Sequence, residues 1–154
     1  MSEYLRTTRE CGLDEMRPEL AAAIRAQIEQ YHLDTSESAA LICIETTATK
    51  QKKGLFGGGE VIYTGVLLTP KWLLWAAGKQ KEKPAVISAR MQDIIVQDYE
   101  KSAMYKLMPD EGINITGRYT DVTQQGMSFI GLGPEPAAQK FRQALHAAVQ
   151  KVTA

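Results

Sequence analysis

Only two histidines occur in the chain, His32 and His146, and both fall in or beside segments of helical periodicity. No HExxH or HxH spacing is present, so neither is paired for zinc or for metal-assisted hydrolysis. Asp98 with Glu100, and Asp110 with Glu111, are carboxylate pairs of the kind used in acid–base work. They sit at a strand end and in a turn, where acidic side chains serve turn geometry and solvation. No serine lies in a GxSxG elbow. The Gly57-Gly58-Gly59 run leads into a strand and not into Gly-Lys-Ser/Thr at the head of a helix, so it makes no phosphate loop. Gly131-Leu132-Gly133 fails in the same way. Cys11 and Cys43 lack metal-ligand spacing, lie in dissimilar contexts and read as two free thiols of a reducing compartment. The expectation is a binding protein with no enzyme activity, no cofactor and no metal.

The lysines carry the positive signal. The chain has 18 basic and 18 acidic residues, which argues against general nucleic-acid binding. Charge is nonetheless uneven: residues 1–37 hold eight acids and four bases, and residues 50–83 hold seven bases and two acids. Lys50, Lys52 and Lys53 lie in one loop, and Lys79, Lys81 and Lys83 in another. Each loop follows a predicted strand, with the two strands of one hairpin between them, so antiparallel pairing puts both at one end of the sheet. The first loop also offers Leu55 and Phe56 among glycines. Clustered lysines beside an apolar loop tip suit an anionic membrane surface or another anionic ligand. Lysines that merely solubilise a sheet rim give the same pattern.

The elements that must hold these loops follow from periodicity. Residues 1–12 are polar and unpatterned and read as a mobile arm. Leu20, Ile24, Ile28 and Tyr31 line one face of a helix over about 14–32, with Pro18 in its first turn. Strand patterns follow at about 39–49, 60–69, 72–77 and 85–92, with a turn at Pro70-Lys71. The Ile94-Ile95 doublet breaks the alternation and predicts a bulge or bend. Weaker strands fall at about 101–108, 112–120 and 126–131. Gly133-Pro134-Glu135 opens a last helix, whose apolar stripe is Phe141, Leu145, Ala148 and Val152. Trp72, Trp75, Tyr63 and Phe129 read as core and half-buried packing, not as a base-stacking platform. The N-terminal MSEYLRTTRE has no apolar core and reads as no signal peptide. A cytoplasmic protein, with at most a peripheral membrane contact, is expected.

Three stretches resemble the pleckstrin-homology-like barrels, including bacterial pleckstrin-homology and GRAM-type domains. They are the hairpin Gly65–Trp75, the strand Ala85–Ile94 leading into a bend, and Gly126–Val149, a last strand running into an amphipathic helix. The resemblance spans about 38–152 and leaves 1–37 as an N-terminal arm and helix before the domain at 38–154. It implies an α+β fold: a partly open barrel of about seven antiparallel strands in two nearly orthogonal sheets, capped by the C-terminal helix. It also implies a binding scaffold, which in many such domains contacts proteins or assembles with itself. Lys50, Lys52, Lys53, Lys79, Lys81 and Lys83 occupy the loops that surround the headgroup in phosphoinositide-binding members. Neither loop contains arginine, so bidentate phosphate recognition is not supported.

Overall fold

The structure is a computed structural model that describes residues 3–51, 59–120 and 124–153. Seven strands form one antiparallel sheet in chain order: β1 (Tyr4–Glu10), β2 (Ile42–Lys50), β3 (Val61–Leu68), β4 (Trp72–Lys79), β5 (Ala85–Asp98), β6 (Gly112–Tyr119) and β7 (Gln125–Gly131). Helix α1 (Pro18–Gln30) lies between β1 and β2, and α2 (Pro136–Thr153) closes the chain. The sheet curls into a half-barrel around α2. No helix among the described residues is long and apolar enough to cross a membrane.

Both faces of the middle strands are buried, which explains their unbroken apolar runs. Along β4, Leu73 and Trp75 point inward to Phe141, Leu145 and Ala148 of α2. Trp72, Leu74 and Ala76 point outward beneath Leu20, Ala21 and Ile24 of α1. The inward stripe of α2 is therefore as expected for Phe141, Leu145 and Ala148, while Val152 is 39% exposed in the last turn. Trp72 and Trp75 are buried as packing residues. Two polar devices fix α1 to the sheet. Glu45 of β2 is buried; its Oε1 accepts from Arg9 Nε (3.1 Å) and Nη2 (2.8 Å), and its Oε2 from the Arg17 amide (2.8 Å). A carboxylate thus meets the positive end of α1 from across the chain, where no side-chain cap from Arg17 exists. At the far end of the helix, buried Gln27 donates to Ser88 Oγ at 2.9 Å.

Three expectations need correction. Residues 4–10 are a strand, not a mobile arm: β1 pairs with β2 from Tyr4↔Lys50 to Glu10↔Ile44. Its alternation is hidden because Arg and Thr stand at the inward positions, with Thr8 and Thr46 hydroxyls bonded at 2.8 Å. The segment 101–108 is not a strand: it lies in two 3₁₀ turns, Tyr99–Lys101 and Ala103–Lys106, and Leu107 and Met108 are exposed. The strand count of seven survives because one loss offsets one gain. Finally, the strands form a single sheet, not two. The bend expected at Ile94-Ile95 does the work of a corner. β5 pairs with β4 through Arg90 and with β6 at Ala89 and again from Ile94, its register with β6 shifting between those two residues. Gly117 faces this bend, where a Cβ would strike the Asp93 carbonyl oxygen.

The chain leaving α1 is anchored at Asp34. Its Oδ1 accepts from Trp72 Nε1 at 2.7 Å, and Lys71 Nζ stands 3.3 Å from Oδ2. The Trp72 hydrogen bond, aided by Lys71 and Arg90, holds this carboxyl down at about 2. A depressed folded pKa contributes stability above the unfolded carboxylate range and loses it as pH falls through the folded value. Wild type is therefore expected to lose stability between about pH 4 and 2 more steeply than Asp34→Asn, by urea midpoint against pH. Parallel curves for the two proteins would contradict this assignment.

Candidate interaction surface

α1 leaves part of the sheet bare. It covers the outer face of β3, β4 and the first half of β5. Beyond the bend, the outer face of β5–β7 has no helix over it. Ile95, Thr116 and Met127 are cross-strand neighbours there, and Ile95 and Met127 are 69% and 70% exposed. The next row is Gln97, Asn114 and Phe129. Phe129 packs edge-on to Tyr99, with ring centroids 5.2 Å apart, and Tyr99 in turn meets Tyr105 at 6.4 Å. The 3₁₀ turns thus extend the apolar surface through Met104, Leu107 and Met108.

This surface ends at an edge strand. The Leu132 amide donates to Glu111 O, which fixes the phase of the ladder: even-numbered β7 residues bond to β6. The N–H and C=O groups of Gln125, Met127 and Phe129 consequently point away from the sheet. β1 and β7 draw together from Phe129, over which the Arg6 guanidinium lies 5.5 Å from the ring centroid, toward Gly131 and Gly133. There Arg6 packs against Gly131 and pairs with Asp110, Gly133 N donates to Thr8 Oγ1 (2.9 Å), and Thr8 N donates to Glu135 Oε1 (2.6 Å). Side chains, not a strand ladder, close that end among the described residues. β7 itself, QGMSFIG, carries no charge.

The lysine rim is partly visible. Thr49 pairs with Val61 and Ile62 with Lys79, so the two loops do share one end of the sheet. The Lys50 amide donates to Glu60 O at 2.8 Å, and Lys79 Nζ lies 2.6 Å from Glu60 Oε1. That pairing raises Lys79 and lowers Glu60 from their ordinary values. Lys81 and Lys83 are exposed on the second loop, Lys81 with φ +68° in a turn closed by Glu82 N donating to Lys79 O. Lys52, Lys53, Leu55 and Phe56 lie outside the described residues.

A third arrangement joins α2 to the end of β5. Arg142 Nη1 stands 3.1 Å from Asp98 Oδ1, 2.9 Å from Glu100 Oε2 and 3.1 Å from Gly112 O. His146 Nε2 lies 3.0 Å from the same Asp98 oxygen. Burial pushes the Asp98 carboxyl up, but the hydrogen bonds from His146 and Arg142 outweigh it and hold it below its ordinary value. The adjoining cleft, about 290 Å³, is lined by Glu111, Glu135 and this same Arg142. A histidine–aspartate pair can activate a nucleophile, but no hydroxyl or thiol bonds to His146 among the described residues. Here the pair helps to hold α2 in place. Among the described residues no group of three or more His, Cys, Asp or Glu side chains is arranged for a metal ion.

Comparison with protein-family models, curated proteins and solved structures gave no match. The surfaces above therefore stand on their own chemistry. Sequence reasoning singled out the lysine rim but missed the bare face, although the Ile94-Ile95 doublet held a clue. Adjacent strand residues face opposite ways, so one of two neighbouring isoleucines had to point outward.

Arg142 bridges two carboxylates, Asp98 and Glu100, while His146 bonds Asp98 alone. Replacement of Arg142 by methionine keeps volume but leaves Asp98 and Glu100 partly buried without it. Arg142→Met is expected to cost about 2–3 kcal/mol in urea unfolding at pH 7. Part of that loss should return near pH 3, where the orphaned carboxyls take up protons.

Proposed function

We propose that this chain is a non-enzymatic interaction module of the pleckstrin-homology-like type, and that it assembles with a second copy of itself. The curled seven-stranded sheet with its C-terminal helix supports the family reading. The observation that carries self-assembly is the row Ile95–Thr116–Met127, which runs out to an uncharged edge. Sheet edges in monomeric proteins are usually guarded by lysine, proline or an inward charge, and β7 has none of these. Antiparallel pairing of β7 with its symmetry mate about Met127 opposes no like charges. It satisfies the outward N–H and C=O groups and makes the two apolar rows continuous across a two-fold axis. β1 is the poorer edge, since Arg6 and Arg9 stand along it.

Two variants separate edge pairing from general stickiness. Met127→Glu sets two carboxylates against each other at the axis. Met127→Pro removes only an outward donor, which an edge strand tolerates. Light scattering is expected to show two chains per particle for wild type at high micromolar concentration and one for either variant. A monomeric wild type would end the proposal, and dimers that persist in both variants would move the contact elsewhere.

A second reading, peripheral binding to an anionic surface, is favoured by the convergence of Lys50 and Lys79 on Glu60, with Lys81 and Lys83 beside them. Co-sedimentation with phosphatidylserine vesicles at low salt is expected to weaken roughly tenfold or more on replacing Lys81 and Lys83 by glutamate, at about 1 kcal/mol per charge. Equal binding to neutral vesicles, or none to anionic ones, would discard the membrane reading and leave the self-assembly reading intact.

A further inference from the structure

The two cysteines, dissimilar in sequence context, are brought face to face by β1. The β1–β2 register continues past Glu10↔Ile44 to place Cys11 opposite Cys43, and the Cys11 amide donates to Cys43 O at 3.0 Å. Both side chains belong to the cluster beneath α1, and each residue is 7% exposed. The two side chains are near enough for each thiol to perturb the ionisation of the other. Directly opposed residues of a bonded antiparallel pair have Cα atoms about 5.5 Å apart, within the usual span of a disulfide. These are the only cysteines in the chain.

We propose that Cys11 and Cys43 are a redox modification site, at which a disulfide forms within one chain and locks the segment bearing α1 to the sheet. The bond would close a loop running from the end of β1, through α1, to β2. The oxidant is a small-molecule disulfide. One cysteine thiolate attacks it, its S–S bond breaks, and one small thiol departs, leaving a mixed disulfide. The second cysteine thiolate attacks that bonded cysteine sulfur, the Sγ–Sγ bond forms, and the second small thiol leaves. The two cysteine protons end on the two small thiols, and the two electrons reduce the small disulfide.

Burial governs the kinetics. It pushes the Cys43 thiol up to about 12, and it raises Cys11 despite the nearby Arg9 guanidinium. In the closed fold neither thiol ionises readily, so exchange proceeds when the end of β1 opens or while the chain folds. Once formed, the disulfide is shielded from reductant in the same way.

The test uses the full chain, unfolded and reduced, then refolded in parallel in reduced and in oxidised glutathione. In the oxidised sample, expected results are loss of both thiols titrated under denaturant, a mass lower by two hydrogens, and a tryptic fragment joining the two cysteine peptides. The loop closed is long, so Tm is expected to rise on the order of 10 °C over the reduced protein. Cys11→Ala and Cys43→Ala should each keep one thiol and show no such rise. Persistence of both thiols, stable glutathione adducts, bonds only between chains, or a crosslink that lowers Tm would each overturn the proposal. The wild-type peptide map decides the matter even if an alanine variant fails to fold.

Discussion

The structure depends on a sheet whose middle strands are buried on both faces by two helices of different origin. An antiparallel sheet more often keeps one face in water and alternates apolar with polar residues. Here Val66-Leu67-Leu68 and Trp72–Ala76 are buried without interruption, because α2 takes one set of side chains and α1 the other. Such a strand has no polar face to set its register. The burden shifts to polar groups at the edges of the layer. Glu45 holds the start of α1, Gln27 meets Ser88 near its end, and Asp34 holds the chain beyond it. Glu45 and Gln27 are buried polar groups that burial penalises unless paired, so each also selects one placement of the helix; Asp34 is exposed and adds its hydrogen bond to Trp72.

Curvature follows from the other helix. A flat sheet of seven strands cannot wrap α2, and the chain solves this at one point. β5 gives its first half to β4 and its second to β6, with a register shift between. Gly117 allows the neighbouring backbone to approach at that corner. The curl brings β1 and β7 together near Gly131 without pairing them. Arg6, Thr8 and Glu135 then serve as clasps where a closed barrel would have a ladder. Met127, farther along β7, stays exposed.

Much of this was legible in the sequence. Strong local patterns survived: the β3–β4 hairpin with its Pro70 turn, the bend at Ile94-Ile95, and the stripe of Phe141, Leu145 and Ala148. β1 was not legible, because its buried position is Thr8, bonded to Thr46, and its other inward residue is Arg6. A strand whose inward side chains are polar has no period-two hydrophobic signal. The opposite error arose at 101–108, expected as a strand, where Met104, Leu107 and Met108 stand exposed in and beside 3₁₀ turns. The cysteine pair escaped for the same reason as β1: without that strand, nothing sets Cys11 opposite Cys43. For the surface, the sequence showed which loops carry lysine but not which sheet face would lack a cover.

That bare face has a simple geometric cause. α1 has 13 residues, hence a length of about 20 Å. Strands lie about 4.8 Å apart, so a helix of this length spans about four strand spacings at most, and fewer when it runs obliquely. Glu45 fixes its start over β2, and Gln27 fixes its far end over Ser88 of β5. The helix is thus used up before β6. With α2 committed to the inner face, only the 3₁₀ turn at Tyr99 among the described residues reaches the outer side of β6 and β7. Phe129 is packed by Tyr99 and Arg6, whereas Ile95 and Met127 stay exposed. The self-assembly proposed above would cover them, and the uncharged β7 edge is the feature that favours a second copy of this chain.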